Sequence, residues 1–468
     1  MARSTAPPVA AARSTPPPAQ AWPRPRFRPL DPARVRLGRL LFYDPILSGN
    51  RNIACADCHH PRFATGDGLA LGLGEGASGL GPARRADPAN LPERRIPRNS
   101  PALFNLGFDE FRVMFADGRV EADADRPSGY RNPMAEALPR GLSSALAAQA
   151  MFPVLSPDEM AGHHAENEVG RAVRRGLIAG DGGAWDLLAR RLQAIPAYAE
   201  AFAALRGPAA APDAPAPAPS VTQGAPAPSA ASAPSLAFAA PAKVRFEDAA
   251  EALAAFMAFE WRADASPFDA FLAGRAPLPA PAAEGFALFQ GAAGCAACHA
   301  GRFQTDHAFH AMGAPQIGPG KAERFESHAR DLGRLRVTGR AEDAYRFRTP
   351  SLRNVTRTGP WGHAGAHDDL RAFLADHAAG AGWAEAQVAA TLASLPALPG
   401  AEDRRAFDDP AEAAAVAAAR AAAAPGRSLT AAELSALLAF LEALTDEASL
   451  AGRLGSPDEV PSGLPVTR

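Results

Sequence analysis

The sequence predicts a mainly α-helical protein of two related units with an Ala/Pro-rich insertion, and three observations lead there. The pentapeptide C-x-x-C-H occurs twice, as Cys55-Ala56-Asp57-Cys58-His59 and Cys295-Ala296-Ala297-Cys298-His299, and the two copies use all 4 cysteines. Each copy follows an apolar stretch of helical period, Leu37-Gly38-Arg39-Leu40-Leu41-Phe42 and Glu284-Gly285-Phe286-Ala287-Leu288-Phe289. Each precedes a P-x-L-x-N element, Pro101 to Asn105 and Pro350 to Asn354. The same three signals in the same order are the mark of a duplication.

Taken in chain order, residues 1–30 are rich in Pro, Ala and Arg and read as a flexible tail. The first unit spans 31–207 and opens on a helix, with Asp31 placed to cap it and Pro32 at its first position. Residues 208–243, mostly Ala, Pro and Ser, cannot bury enough apolar surface to fold alone and read as a linker. The second unit spans 244–468. Near its end Thr430-Ala431-Ala432-Glu433 forms a capping box before Leu434, Leu437, Leu438 and Leu441, a helix suited to closing that unit.

C-x-x-C-H is the signature of covalent c-type haem: two thiols add to the porphyrin vinyl groups and the adjacent imidazole ligates the iron. The expectation is two covalently bound haem c groups, on Cys55, Cys58 and His59 and on Cys295, Cys298 and His299, in two cytochrome c-like domains. A single four-thiol zinc site or disulfides are the competing readings, although zinc does not require a histidine after each pair. With 47% hydrophobic and 21% charged residues and a net charge of −2, the 468-residue chain has no basic bias toward nucleic acid and no apolar run of bilayer length. Haem attachment to this motif takes place after export, which points to a periplasmic or otherwise exported protein whose export signal is not evident in this chain.

Longer stretches carry a resemblance. The run from Leu37 to Gly49, L-G-x-L-L-F-Y-D-P-x-L-S-G, resembles the bacterial di-haem cytochrome c peroxidases, which include the MauG-type enzymes of methylamine utilisation. Arg98-Asn99-Ser100-Pro101, Phe152-Pro153-Val154 with Asp158-Glu159-Met160, Asp331-Leu332-Gly333-Arg334 and Thr349 to Val355 agree with it. The resemblance implies reduction of hydrogen peroxide at the first haem. Electrons would arrive through the second from a donor such as a small cytochrome c or a copper protein. It places Gln149, Pro153 and Glu159 over the first haem, with Glu159 as acid/base, and His377 as the sixth ligand of the second, where the MauG type has tyrosine. It also implies a calcium ion at Asn99, Thr358 and Pro360.

Several residues stay open. Positions 61–98 hold no histidine, so the first haem is either open or capped by Met114, Met134, Tyr130, His163 or His164. His60, His163 and His164 read as surface residues. His307 and His310 suit a place near the haem propionates, His363 and His367 are weaker ligand candidates than His377, and Met312 lies too early. The tryptophans that the family uses as relays are replaced by Phe115 and Ala293. Two alternatives to a peroxidase remain at this point: MauG-like oxidation of a protein or small organic substrate, and a non-catalytic di-haem electron carrier. Oligomeric state is not legible.

Overall fold

A computed structural model describes residues 25–163, 166–206, 243–321, 326–380, 385–422 and 426–468. It is mainly helical, with strands of only two or three residues. The expected opening helix runs Pro32–Tyr43, and the Asp31 side chain accepts from the Ala33 amide at 2.9 Å. Its counterpart runs Ala280–Gln290, and Ala431–Glu442 carries the Thr430/Glu433 capping box.

The two units are built alike around a helix crossing. A Cβ on Gly38 would stand 1.9 Å from the Ala252 carbonyl oxygen, and one on Gly285 would stand 1.9 Å from that of Ala436. Backbone therefore touches backbone at both crossings, with Phe256 and Phe440 beside the two glycines. The P-x-L-x-N elements then lock each closing helix. Asn105 (φ +65°) donates its N–H to Trp261 O at 3.0 Å and accepts from the Ala263 amide at 2.8 Å. Asn354 (φ +60°) does the same with Leu444 O at 3.3 Å and the Asp446 amide at 2.7 Å. Asparagine tolerates this left-handed conformation better than other side chains, which is why the element ends on it.

This pairing moves the expected boundaries. The partner of the opening helix is Phe246–Glu260, whose Phe246, Ala249, Leu253 and Phe256 lie inside the first core. The chain on either side of residues 207–242 thus belongs to the first unit: Tyr198 and Phe202 before them and Val244 after them share one core. By packing, the 208–243 stretch interrupts the first unit and does not join two. Most of it lies outside the described residues.

The second core gathers Phe268, Phe271, Phe286, Phe289, Leu437 and Phe440. The last residues return to the first unit, where Val460 is buried, Ser462 donates to Asp44 at 2.6 Å and Thr467 donates to Asp57 at 2.7 Å. The N-terminal tail is outside the described residues up to 24, but its end is pinned. Phe27 packs edge-on against Phe108 at 5.1 Å, and the Asp109 amide donates to Arg26 O at 3.1 Å.

Backbone contact leaves no room for a methyl group at either crossing. Gly38→Ala and Gly285→Ala should each destabilise the protein by about 1–3 kcal/mol. Thermal unfolding of the two variants checks this, and an unchanged Tm in either would contradict the crossing geometry.

Candidate functional site

Both C-x-x-C-H motifs present their histidine in the same way. Cys55–Cys58 forms one helical turn, closed by the His59 amide donating to Cys55 O at 2.9 Å. His59 Nδ1 lies 2.9 Å from Thr65 O, and His299 Nδ1 lies 3.0 Å from Gln304 O. The carbonyls of Pro101 and Pro350, from the repeated P-x-L-x-N elements, also act on the two rings. A carbonyl holding Nδ1–H fixes the tautomer and leaves Nε2 free for a metal.

All four cysteines are free. Burial pushes the thiols of Cys55 and Cys58 up to about 12 and that of Cys295 up to about 11, so they are neutral thiols before anything is attached to them. The first pair packs on the first core and Cys295 on the second, and no cluster among the described residues gathers the four. The residues fit two haem c groups and do not fit one zinc ion.

Opposite His299 stands His377, in the last turn of the helix Leu370–Ala379, which Asp369 caps. The two imidazole centroids are 6.2 Å apart. An imidazole nitrogen binds a first-row metal at about 2 Å, so two rings facing each other across one ion have centroids about 6 Å apart. Burial pushes the His377 ring down to about 4, with His299 and Arg420 adding to the effect, so it is neutral and able to ligate at physiological pH. Phe373 stacks on it at 5.3 Å. The neighbouring histidines are engaged elsewhere: His307 with Glu110 at 3.3 Å, His310 with Asp306 at 2.9 Å, His363 with Asp331 at 2.9 Å, and fully buried His367 with Gln387. Met312 is half-buried.

The three residues expected over the first haem follow one another on tight turns. Gln149 lies in the last turn of Ala145–Ala150, and Pro153 opens a 3₁₀ turn to Leu155. Glu159 sits in a single π-helical turn, Pro157–Ala161, with the Ser156 hydroxyl accepting from its amide at 3.2 Å. Such π turns recur at functional sites because they redirect one side chain. Glu159 is half-buried, and its charge acts on the Cys58 thiol. Desolvation raises its carboxyl above the ordinary range, against the opposing pull of Lys321, Arg119 and Arg98.

Lys321 is itself lowered to about 8, by burial first and then by Arg119. Sequence reasoning missed this lysine. The available signal was its rarity: only Lys243 and Lys321 occur among 48 basic residues.

Other expectations resolve individually. Met114 is buried in the first core and Met134 packs against it, while the Tyr130 hydroxyl donates to Leu142 O at 3.0 Å. His60 is not a surface residue. It is 6% exposed, because its ring accepts from the Arg62 amide and closes the turn after the haem motif. His163 Nδ1 lies 3.0 Å from Glu93, and His164 is outside the described residues. Asn99 Nδ2 donates to Leu69 O at 3.0 Å and to Pro360 O at 3.2 Å, which brings two of the three residues named for calcium together. Phe115, where a relay tryptophan was looked for, lies under the Arg119 guanidinium at 3.7 Å.

The model of the di-haem cytochrome c peroxidase family matches residues 32–277, from the opening helix across the insertion into the second unit. The chain belongs to this family. Its members are haem oxidoreductases. The chain is 29% identical over 358 residues to the methylamine utilization protein MauG of Methylorubrum extorquens, covering 76% of this chain and 71% of that one. It is 26% identical over 351 residues to the cytochrome c551 peroxidase of Pseudomonas aeruginosa, covering 75% and 73%. Among solved structures, the di-haem peroxidase BthA of Burkholderia thailandensis shares the fold, with a TM-score of 0.54 at 22% identity, 95% of this chain and 92% of that one. No described helix of this di-haem peroxidase-family protein is long and apolar enough to cross a membrane.

Because the two thiol pairs lie in separate cores, haem attachment should be separable. Replacing Cys55 and Cys58 with Ala should leave a protein whose mass carries one covalent haem, on Cys295 and Cys298. Loss of both haems, or retention of two, would speak against independent sites.

Proposed function

We propose that this protein is an exported c-type peroxidase that reduces hydrogen peroxide to water at the first haem, with electrons delivered through the second. The observation that carries this reading is the unlike environment of two otherwise equivalent histidines: His299 faces His377, whereas the His59 site has a desolvated carboxyl, Glu159, in its field. An iron with protein ligands on both faces suits electron transfer, because its coordination changes little between oxidation states. A peroxide site needs a free coordination position and a group that moves protons.

When bound, the first haem supplies the redox centre at which the O–O bond breaks, and the overall reaction takes two electrons and two protons per peroxide to give two waters. Glu159 is suited to take the proton from one peroxide oxygen and return it to the other, so that the second departs as water and not as hydroxide. Gln149 and Pro153, one on each side of a tight turn, set the shape of that pocket. His299 and His377 would hold the second haem from both faces, and a bis-histidine iron has a lower potential than a histidine/methionine one. Asn99 and the backbone carbonyls of Thr358 and Pro360 would offer hard oxygen donors to a calcium ion, and the Asn99 amide lies 3.2 Å from Pro360 O. The donor protein would be a small cytochrome c or copper protein.

Glu159→Gln keeps the shape and removes the shuttle. In rapid mixing the variant should bind small ligands normally and react with peroxide about a hundredfold to ten-thousandfold more slowly. In the parent, the same rate should fall on acidification through a pKa above the ordinary glutamate value, because only the carboxylate can accept the proton; the variant should show no such limb. An unchanged rate in Glu159→Gln rejects the assignment, and a parent that ignores peroxide favours an electron carrier.

The second haem is tested by His377→Ala. The low-spin signal of a bis-histidine iron should give way to a high-spin one with an exchangeable site. Survival of the low-spin spectrum would assign the sixth ligand elsewhere.

A further inference from the structure

Behind the Glu159 turn lies a cluster that the haem chemistry does not use. Glu75 is 1% exposed. One of its carboxylate oxygens, Oε1, accepts from three side-chain amides, Asn50 and Asn52 at 2.8 Å and Asn90 at 2.9 Å. The other, Oε2, is buried and has no hydrogen-bond partner. Both ring nitrogens of His163 are likewise buried and without a hydrogen bond, and Nδ1 lies 3.0 Å from Glu93 Oε1. Glu166 completes the group: its Oε2 accepts from Asn50 at 2.6 Å and from the His163 amide at 3.0 Å. One ligand atom from each of Glu75, His163 and Glu166 lies within 4.8 Å of the others.

A buried carboxylate whose only partners are neutral amides on one oxygen is costly, and a cation at the bare oxygen removes that cost. We propose that Glu75, His163 and Glu166 bind a divalent transition-metal ion of the zinc class. One imidazole nitrogen with two carboxylate oxygens is a borderline donor set, softer than calcium or magnesium prefer and without the thiolates of a copper(I) site. Glu93, 3.0 Å from Nδ1, stands where a carboxylate can orient a metal-binding histidine once Nε2 is engaged by the ion.

The consequence is mechanical. The Glu75 amide donates to both Asp158 O and Glu159 O at 3.1 Å, and a Cβ on Gly74 would stand 2.1 Å from Asp158 O. An ion held by Glu75 on one side and by His163 and Glu166 on the other clamps the turn that carries Glu159 from both ends. The site stands on its own ligand geometry and does not depend on what the haems catalyse.

Untagged di-haem protein, stripped with a chelator and titrated with zinc against a chromophoric competitor, provides the test, with zinc counted separately from iron. The parent should bind one zinc per chain and gain thermal stability on binding. Glu75→Gln and His163→Gln should each weaken zinc at least tenfold, and Glu93→Gln should weaken it by about ten- to a hundredfold through loss of orientation alone. His163 is on a partly exposed loop, so its variant reports ligand loss even if Glu75→Gln impairs folding. Absence of zinc binding in the parent overturns the proposal, as does equal affinity in parent and His163→Gln, or displacement of zinc by equimolar calcium.

Discussion

A half-buried arginine between two buried aspartates holds the halves of this protein in register. Arg98 meets Asp331 of the second unit through two bonds, at 2.7 and 2.8 Å, and Asp117 of the first at 3.0 Å. Burial works against the charge of Asp331, yet Arg98 and His363 more than offset it and hold the carboxyl well below its ordinary value. Asp117 falls to about 2 for the same reason, with burial outweighed by Arg98 and Arg119. Removing one partner from such a network leaves an uncompensated buried charge, at a cost of about 3–5 kcal/mol.

The network also fixes what lies around it. Asn99, the next residue after Arg98, reaches the Pro360 carbonyl, and His363, bonded to Asp331, belongs to the turn that leads into the helix bearing His377. Arg334 crosses back from the second unit to the carbonyls of Asp117 and Gly118 and to Glu121. Arg98 and Arg119 act electrostatically on Glu159 as well. The position of the second unit and the charge state of a carboxyl in the first therefore share the same cations. The arginine and aspartate motifs on which the family resemblance rests are this seam.

Duplication explains why the two halves look alike, and divergence explains why they differ. The glycine crossing, the left-handed asparagine and the carbonyl behind each histidine recur in both units, since each solves a local problem that any copy meets. What differs is supplied by other segments: a helix brings His377 opposite His299 in one unit, and a π turn carries Glu159 in the other. The scaffold is common to both copies, and the chemistry is added by the connections.

By itself the sequence determined the features encoded locally: the C-x-x-C-H motifs, the caps at Asp31 and Thr430, the helical period before each motif, and the P-x-L-x-N element that recurs after it. Each depends on residues within a few positions of one another, so spacing alone identifies it. Tertiary structure decided the rest. The helix Phe246–Glu260 is apolar on nearly all sides, so its pattern names no partner, and only the Gly38 crossing assigns it to the first unit across the insertion. Burial of His60, the coupling of Lys321 to Glu159, and the meeting of Glu75 with His163 and Glu166 are contacts between separate segments. A pattern of short range carries no record of them, because they arise only when packing brings distant residues together and removes the water between them.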